Sequence, residues 1–278
     1  IYVSKAFDLE LSIDQYPFLE SHVIDGKAVL PMALMIEWMA HGAIHNNPGL
    51  RFHGFNDLRV LKGVILEAGQ GHTLQVMTGK AFKSGGVHVV PVELSGITAK
   101  GQPLVHSRAR IVLAASLPEG KPAMARPELQ AYSRTIEETY RPDRLFHGPD
   151  FHGIREVIGC SGDGIASVVR PAPLPTEWIK QPLRNSWLAD PLVLASQVER
   201  LLDDPRSAGF LEPFVYQWLG LHRFDFFEVD RRRHPEFDDS VRLAAKREVF
   251  ETVSHLLATN GSLRDLLAAD SCVINNVL

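Results

Sequence analysis

PMALMIEWMAHGAI, residues Pro31 to Ile44, is the stretch on which the reading of the fold turns. Only Glu37 and His41 interrupt an otherwise apolar run. Proline at its first position suits a helix start, where a missing N–H is no loss, and Gly49 beyond its end suits a stop. A surface helix shows a polar face, whereas one that is apolar all round is enclosed on most sides. The segment is therefore expected to be a central helix, and the question becomes what wraps it.

Upstream, Ile1 to Leu11 alternates as a strand does, and a loop then runs through Tyr16, Phe18 and His22 to Pro31. Downstream, LRVLKGVILE, HTLQVMTGKAF, GVHVVPVELSG and LVHSRARIVLA are strand-like runs separated by turns rich in Gly, Asn or Lys. A buried helix followed by a meander of antiparallel strands is the order of a hotdog fold, a curved sheet wrapped round one helix. The proline-bearing stretch Ala115 to Glu128 reads as a linker.

The second half repeats the plan more loosely. PELQAYSRTIEETY is expected to be a helix, and LFHGPDFHGIREVIGCSGDGIASVVRP holds a Gly-Pro turn and two strand-like runs. A proline-rich crossing from Pro171 to Pro182 leads to a second apolar helix, WLADPLVLASQVERLL. Four more runs read as strands: EPFVYQWLGLHRFDFFEV, SVRLAAKREVF, TVSHLLATN and SLRDLLAADSCVI. The expected fold class is thus α+β, a double hotdog of residues 1–115 and 128–278 joined by a linker at 116–127. No residue-level repeat is visible, so the duplication rests on layout alone.

The bulk numbers narrow the function. A chain of 278 residues with 45% hydrophobic and 22% charged residues can bury a substantial core. A net charge of −4 gives no reason to expect nucleic acid or an anionic membrane as partner. No run approaches the ~18 apolar residues of a membrane span. Two scattered thiols, Cys160 and Cys272, fit a reducing compartment, so a cytoplasmic location is expected. The chain opens IYVSKAFDLEL, with neither an initiator Met nor a signal peptide, and reads as a piece of a longer polypeptide. P-loop, GxGxxG and GxSxG patterns are absent, which leaves nucleotide cofactors and serine hydrolysis unsupported.

Three local patterns carry chemistry. His22-Val-Ile-Asp-Gly26-Lys-Ala-Val-Leu-Pro31 has the form HxxxGxxxxP; His147-Gly148-Pro149-Asp150-Phe151-His152-Gly153 contains GPxFxG; Asp190-Pro191-Leu192-Val193-Leu194 opens the second apolar helix. In that order they resemble the dehydratase domain of polyketide and polyunsaturated-fatty-acid synthases, whose fold is a double hotdog. The resemblance implies a hydro-lyase that removes water from a β-hydroxyacyl thioester on the phosphopantetheine arm of an acyl carrier protein. It implies His22 as base, and Gly26, Pro31, His147, Gly148, Pro149 and Ala195 around the substrate. Neighbouring synthase domains and the carrier protein become expected partners, no metal or other cofactor is called for, and dimerisation is common among such domains.

The residues support this role independently. His22 precedes a glycine that lets the backbone turn sharply and approach a ligand. The proline then starts a helix whose N-terminus offers unpaired N–H groups and partial positive charge. A base beside such a terminus suits removal of a proton α to a carbonyl. The bland alternative is a loop histidine without chemistry, the ordinary fate of a lone His.

The partner acid departs from the family pattern. Relatives carry Asp four residues after the proline of the second helix, where this chain has Ala195. Glu199 lies one turn further, displacing a carboxylate by ~6 Å along the axis. Asp190 is the other candidate, although Asp before a helix-opening Pro is an N-cap by default. An inactive, structural or carrier-docking domain and an enoyl isomerase are therefore the alternatives. His147 stands where relatives place Tyr. His41 and His45 have i, i+4 spacing that could hold a metal, but no further ligands cluster with them, and histidines near a helix C-terminus also complement its dipole. RRRHPEFDD, Arg231 to Asp239, reads as a solvated loop of mixed charge.

Overall fold

The computed structural model describes residues 2–98, 101–119, 128–141, 145–161, 164–203, 207–225, 227, 229–230, 232–235 and 237–258. In chain order its strands are β1 (Val3–Leu11), β2 (Val23–Ile24), β3 (Lys27–Val29), β4 (Arg51–Val60), β5 (Ile65–Leu66), β6 (His72–Gly79), β7 (Phe82–Ser84), β8 (Val87–Ile97), β9 (Pro103–Ala114), β10 (Ile154–Ser161) and β11 (Gly164–Val169). Its helices are α1 (Met32–His45), α2 (Ile136–Thr139), α3 (Pro175–Trp178), α4 (Pro191–Asp203), α5 (Ser207–Trp218), α6 (His222–Asp225) and α7 (Asp239–Ala258). Among the described residues the chain divides into two compact units, residues 1–159 with 166–200, and residues 160–165 with 201–278.

The first unit holds the hotdog. Its main sheet runs β1-β6-β8-β9-β4, antiparallel throughout, with β7 added beside β8. Strand alternation sends Leu74 and Val76 of β6, Val90, Val92 and Leu94 of β8, and Ala109, Ile111 and Leu113 of β9 into the core. The helix α1 lies against this inner face, and every residue from Ala33 to Ala43 is buried. That burial is why its sequence shows no polar stripe. Gly42 is where helix and sheet come closest, since a Cβ there would stand 2.3 Å from Val76 Cγ1.

Glu37, only 2% exposed, is the polar exception that the fold uses. Its Oε1 accepts from His41 Nε2 at 2.9 Å, and its two oxygens accept from the backbone N–H groups of Leu188 and Ala189 at 2.7–3.1 Å. A buried carboxylate persists when its lone pairs are filled in this way. The carboxylate thereby ties α1 to the segment that opens α4. One continuous core runs from Leu9 and Trp38 through Phe151 and Trp178 to Leu192, so α1 and the start of α4 share it.

The α+β class and the first hotdog agree with the sequence reading, and β10 pairs with β11 as its two strand-like runs predict. Three expectations need correction. β4 begins at Arg51, seven residues before the run expected there, because a bulged, half-exposed strand hides its alternation. The helix expected over PELQAYSRTIEETY shortens to α2, started by a capping box between Thr135 and Glu138. Most important, EPFVYQWLGLHRFDFFEV falls largely in α5 and α6, and SVRLAAKREVF and most of TVSHLLATN in α7, so these runs are helical rather than strands of a second sheet. SLRDLLAADSCVI and Cys272 lie outside the described residues, as do residues 120–127 of the expected linker, whose preceding residues 115–119 are exposed.

Among its described residues from 201 onward, the second unit is built of helices. Asp225 is its hub: Tyr216 Oη donates to it, Lys246 Nζ pairs with it, and Arg242 Nη1 donates to the carbonyls of Phe224 and Asp225 at 3.0 and 2.8 Å. Lys246 is the main cause that holds the Asp225 carboxyl below its usual range, and the same carboxylate raises Tyr216. Asp238 caps α7 through the N–H groups of Ser240 and Val241. The described residues of the 231–239 run are mostly exposed, as a solvated loop should be.

Candidate active site

His22 leaves a short 3-10 turn, Pro17–Ser21, with its N–H donated to the Leu19 carbonyl at 3.0 Å. The chain then makes a two-residue hairpin, pairing Val23 with Ala28 and Ile24 with Lys27. Asp25 and Gly26 form its turn at φ of 50° and 74°. Two consecutive positive φ values match the twist of a tight hairpin, and Asp-Gly is a sequence that adopts them readily. A Cβ on Gly26 would meet nothing within 4 Å, so this glycine is required by its backbone angle and not by a close approach.

The hairpin returns Val29 to His22. Val29 N–H donates to the His22 carbonyl at 3.0 Å, and His22 Nδ1 donates to the Val29 carbonyl at 2.7 Å. A carbonyl can only accept, so Nδ1 carries the proton and Nε2 holds the free lone pair. Two residues after Val29, Pro31 opens α1, its carbonyl accepting from Leu34 and Met35 and no side chain capping the helix. The spacing of HxxxGxxxxP thus becomes a mechanism for fixing an imidazole near an uncapped helix start.

The GPDFHG turn closes over the other side of His22. His22 and His147 form an isolated antiparallel bridge, and Gly148 N–H donates to the Ser21 carbonyl at 2.6 Å. A Cβ on Gly148 would lie 2.9 Å from Ser21 Cα, so only glycine fits. Ser21 Oγ donates to Asp150 Oδ2 at 2.8 Å, joining the two turns a second time. Arg170 donates to the carbonyls of Pro149, Asp150 and His152, and His152 Nε2 donates to the His147 carbonyl at 3.0 Å.

The His22 ring is 8% exposed. Its centroid lies 5.1 Å from those of Phe146 and His147 and 5.5 Å from that of Phe151. Burial, aided by the neighbouring His147, lowers the His22 pKa to about 4, against the opposing pull of the Val29 carbonyl. The imidazole is therefore neutral at pH 7, as a proton acceptor must be.

Of the other residues singled out in the sequence, Asp190 is the N-cap of α4. Its Oδ1 accepts from Leu192 and Val193 at 3.0 and 2.9 Å, and both oxygens accept from Ala172 N–H. Those bonds give Asp190 the capping role that its place before Pro191 suggested, while its Oδ2 accepts only from Ala172 N–H. Ala195 is half-buried against the core. Glu199 is within α4, but its side chain lies outside the described residues. Gly148 and Pro149 spend their backbone groups on Ser21 and Arg170. His41 is engaged by Glu37, and the His45 ring packs edge-on to Phe7.

Sequence reasoning passed over Ser21, Arg170 and Ser196. Ser196 is fully buried, and Gly153 must be glycine because a Cβ would stand 2.1 Å from its Oγ. The second glycine of GPxFxG was the available signal for that approach.

In its hotdog and its three motifs the chain resembles the synthase dehydratase domains, and the comparisons with known proteins agree. Residues 4–90 match the family described as "Polyketide synthase dehydratase domain". Over 165 residues the chain is 31% identical to a polyunsaturated fatty acid synthase polypeptide of Thraustochytrium sp., covering 59% of this chain and 6% of that relative's length. Among solved structures, the dehydratase domain from the CurF module of curacin polyketide synthase superposes with a TM-score of 0.52 at 17% identity, covering 70% of this chain and 69% of that one. The dehydratase domain of the polyketide PpsC from Mycobacterium tuberculosis gives 0.51 at 19% identity, covering 70% and 66%. A trans-AT dehydratase domain from Brevibacillus brevis gives 0.52 at 20% identity, covering 70% and 72%. These structures share the double-hotdog fold. Residues 172–278 match a different family, described as "Protein of unknown function (DUF1592)". The resemblance read from the three motifs stands, and the second match covers the helical unit.

Proposed function

We propose that this chain dehydrates a β-hydroxyacyl thioester, carried on an acyl carrier protein, to the α,β-enoyl thioester within a polyketide or polyunsaturated-fatty-acid synthase. The observation that carries this reading is the buried, neutral His22, held through Nδ1 so that Nε2 is left to accept a proton. The thioester acidifies the α-proton, which His22 Nε2 removes. The uncapped N-terminus of α1 supplies N–H groups and dipole to the enolate oxygen as charge develops. Loss of the β-hydroxyl as water then forms the double bond, and this chemistry calls for no metal or redox cofactor. The carrier protein and adjoining synthase domains are its partners, a homodimer its assembly and the cytoplasm its place.

Ala195 favours a second reading, a dehydratase-like domain without turnover that binds the acyl arm, or an isomerase that needs the base and little acid. Incubation with a short β-hydroxyacyl thioester, read by mass spectrometry, separates the three. Loss of one water, abolished in His22→Ala, supports the dehydratase. Binding without turnover points to the docking domain, and a shifted double bond in an enoyl substrate to the isomerase.

A further inference from the structure

We infer that His147 is the catalytic acid of this site, forming with His22 a histidine pair that replaces the carboxylate missing at Ala195. This rests on the dehydratase reading and deepens it. Both residues are fixed at the backbone, facing one another across the antiparallel bridge. Their rings lie 5.1 Å apart between centroids at a 44° tilt. Phe151, fully buried, lies 5.5 and 5.6 Å from the two rings, and Phe146, 43% exposed, lies 5.1 and 4.4 Å from them. One aromatic residue thus backs both imidazoles while another stands at the solvent side.

The chemistry needs two proton-transfer groups that close together. The α-hydrogen and the β-oxygen of the substrate sit on adjacent carbons, so base and acid must flank a single C–C bond. Neighbouring imidazoles meet that requirement, and mutual repulsion opposes a proton on both at once. Asp190, by contrast, is engaged as the N-cap of α4.

The reaction calls for a proton on His147 and none on His22 Nε2. The Cα–H bond breaks, its proton passing to His22 Nε2 and its electron pair forming the Cα=Cβ bond. The Cβ–O bond breaks toward oxygen, which takes a proton from His147 and departs as water. His22 is then protonated and His147 neutral, and transfer of that one proton back to His147 restores the pair. His152, by holding the His147 carbonyl, and the Ser21–Asp150 bond, by joining the turns, are positioning residues for this geometry.

The test separates base from acid in the full chain. Exchange of the α-proton of a saturated acyl thioester in deuterium oxide requires the base alone, whereas dehydration of the matching β-hydroxyacyl thioester requires both. His147→Phe keeps a ring between Phe146 and Phe151, and His147→Asn is the second variant should the first misfold. Expected is dehydration lowered about 10²–10⁴-fold with exchange lowered far less, so that the ratio of the two rates falls, while His22→Ala loses both. Retained exchange also reports that the variant is folded. Dehydration near the parental rate in either variant, or equal loss of both reactions in both variants, would overturn the assignment. A parent that exchanges and dehydrates while the His147 variants do the same sinks only this inference. A parent that does neither sinks the dehydratase reading as well.

Discussion

Apolar runs of the first unit fold as the strands β8 and β9, whereas runs of the second fold as the helices α5 and α7. In β8 and β9 the apolar residues are mostly Val, Leu and Ile in alternation, and each strand finds a partner on both sides. In α7 the run DSVRLAAKREVFETVSHLLA mixes Ala, Leu and Val with Arg, Lys and Glu, follows an Asp238 cap, and places Arg247 and Glu251 one turn apart. Short apolar stretches do not distinguish the two states by themselves; capping and residue type do. Pro213 inside α5 adds to the confusion, since an interior proline argues against a helix. The difference teaches that apolar runs laid out in series do not by themselves fix the backbone they take.

The comparison predicts that chemistry resides wholly in the first unit. The largest effect expected is from His22→Ala, which should lower dehydration by about 10²–10⁴-fold and leave the helical content unchanged by circular dichroism. Activity surviving that change would dissolve the contrast between the units.

Glu37→Ala comes next. It strips the acceptor from two backbone N–H groups and from His41, and loss of a buried charged partner costs about 3–5 kcal/mol. Denaturant unfolding followed by tryptophan fluorescence should show a lower midpoint, with activity falling as α4 loses its anchor.

Acid provides a third test. The His22 pKa is lowered from 6.5 to about 4 in the folded chain, so between those values the unfolded chain binds a proton that the folded chain refuses. Stability from this group is fully present above pH 6.5 and declines as pH falls toward 4, by on the order of 3 kcal/mol. The difference between parent and His22→Gln in unfolding free energy across that window isolates the contribution. A difference that stays flat would mean His22 is not desolvated.

The smallest effect on function is expected in the second unit. Asp225→Ala removes the carboxylate that Tyr216 and Lys246 share, and should lower the thermal stability of α5–α7 without altering turnover. A loss of dehydration in that variant would join the units functionally.

Much of the site could be read from the residues. The apolar run at Pro31–Ile44 fixed α1 as an enclosed helix, and HxxxGxxxxP placed His22 before it, because periodicity and turn chemistry are local. The α4 start was legible for the same reason, down to Asp190 as its cap. What the sequence could not supply were relations between distant positions: Glu37 seizing the amides of Leu188 and Ala189, Ser21 bonded to Asp150, His147 brought against His22. Those depend on which segments meet in space, and a meeting across more than a hundred residues leaves no periodic trace. The same limit explains the helical second unit, where tertiary packing and caps, not apolar content, chose between two backbones that the residues allow.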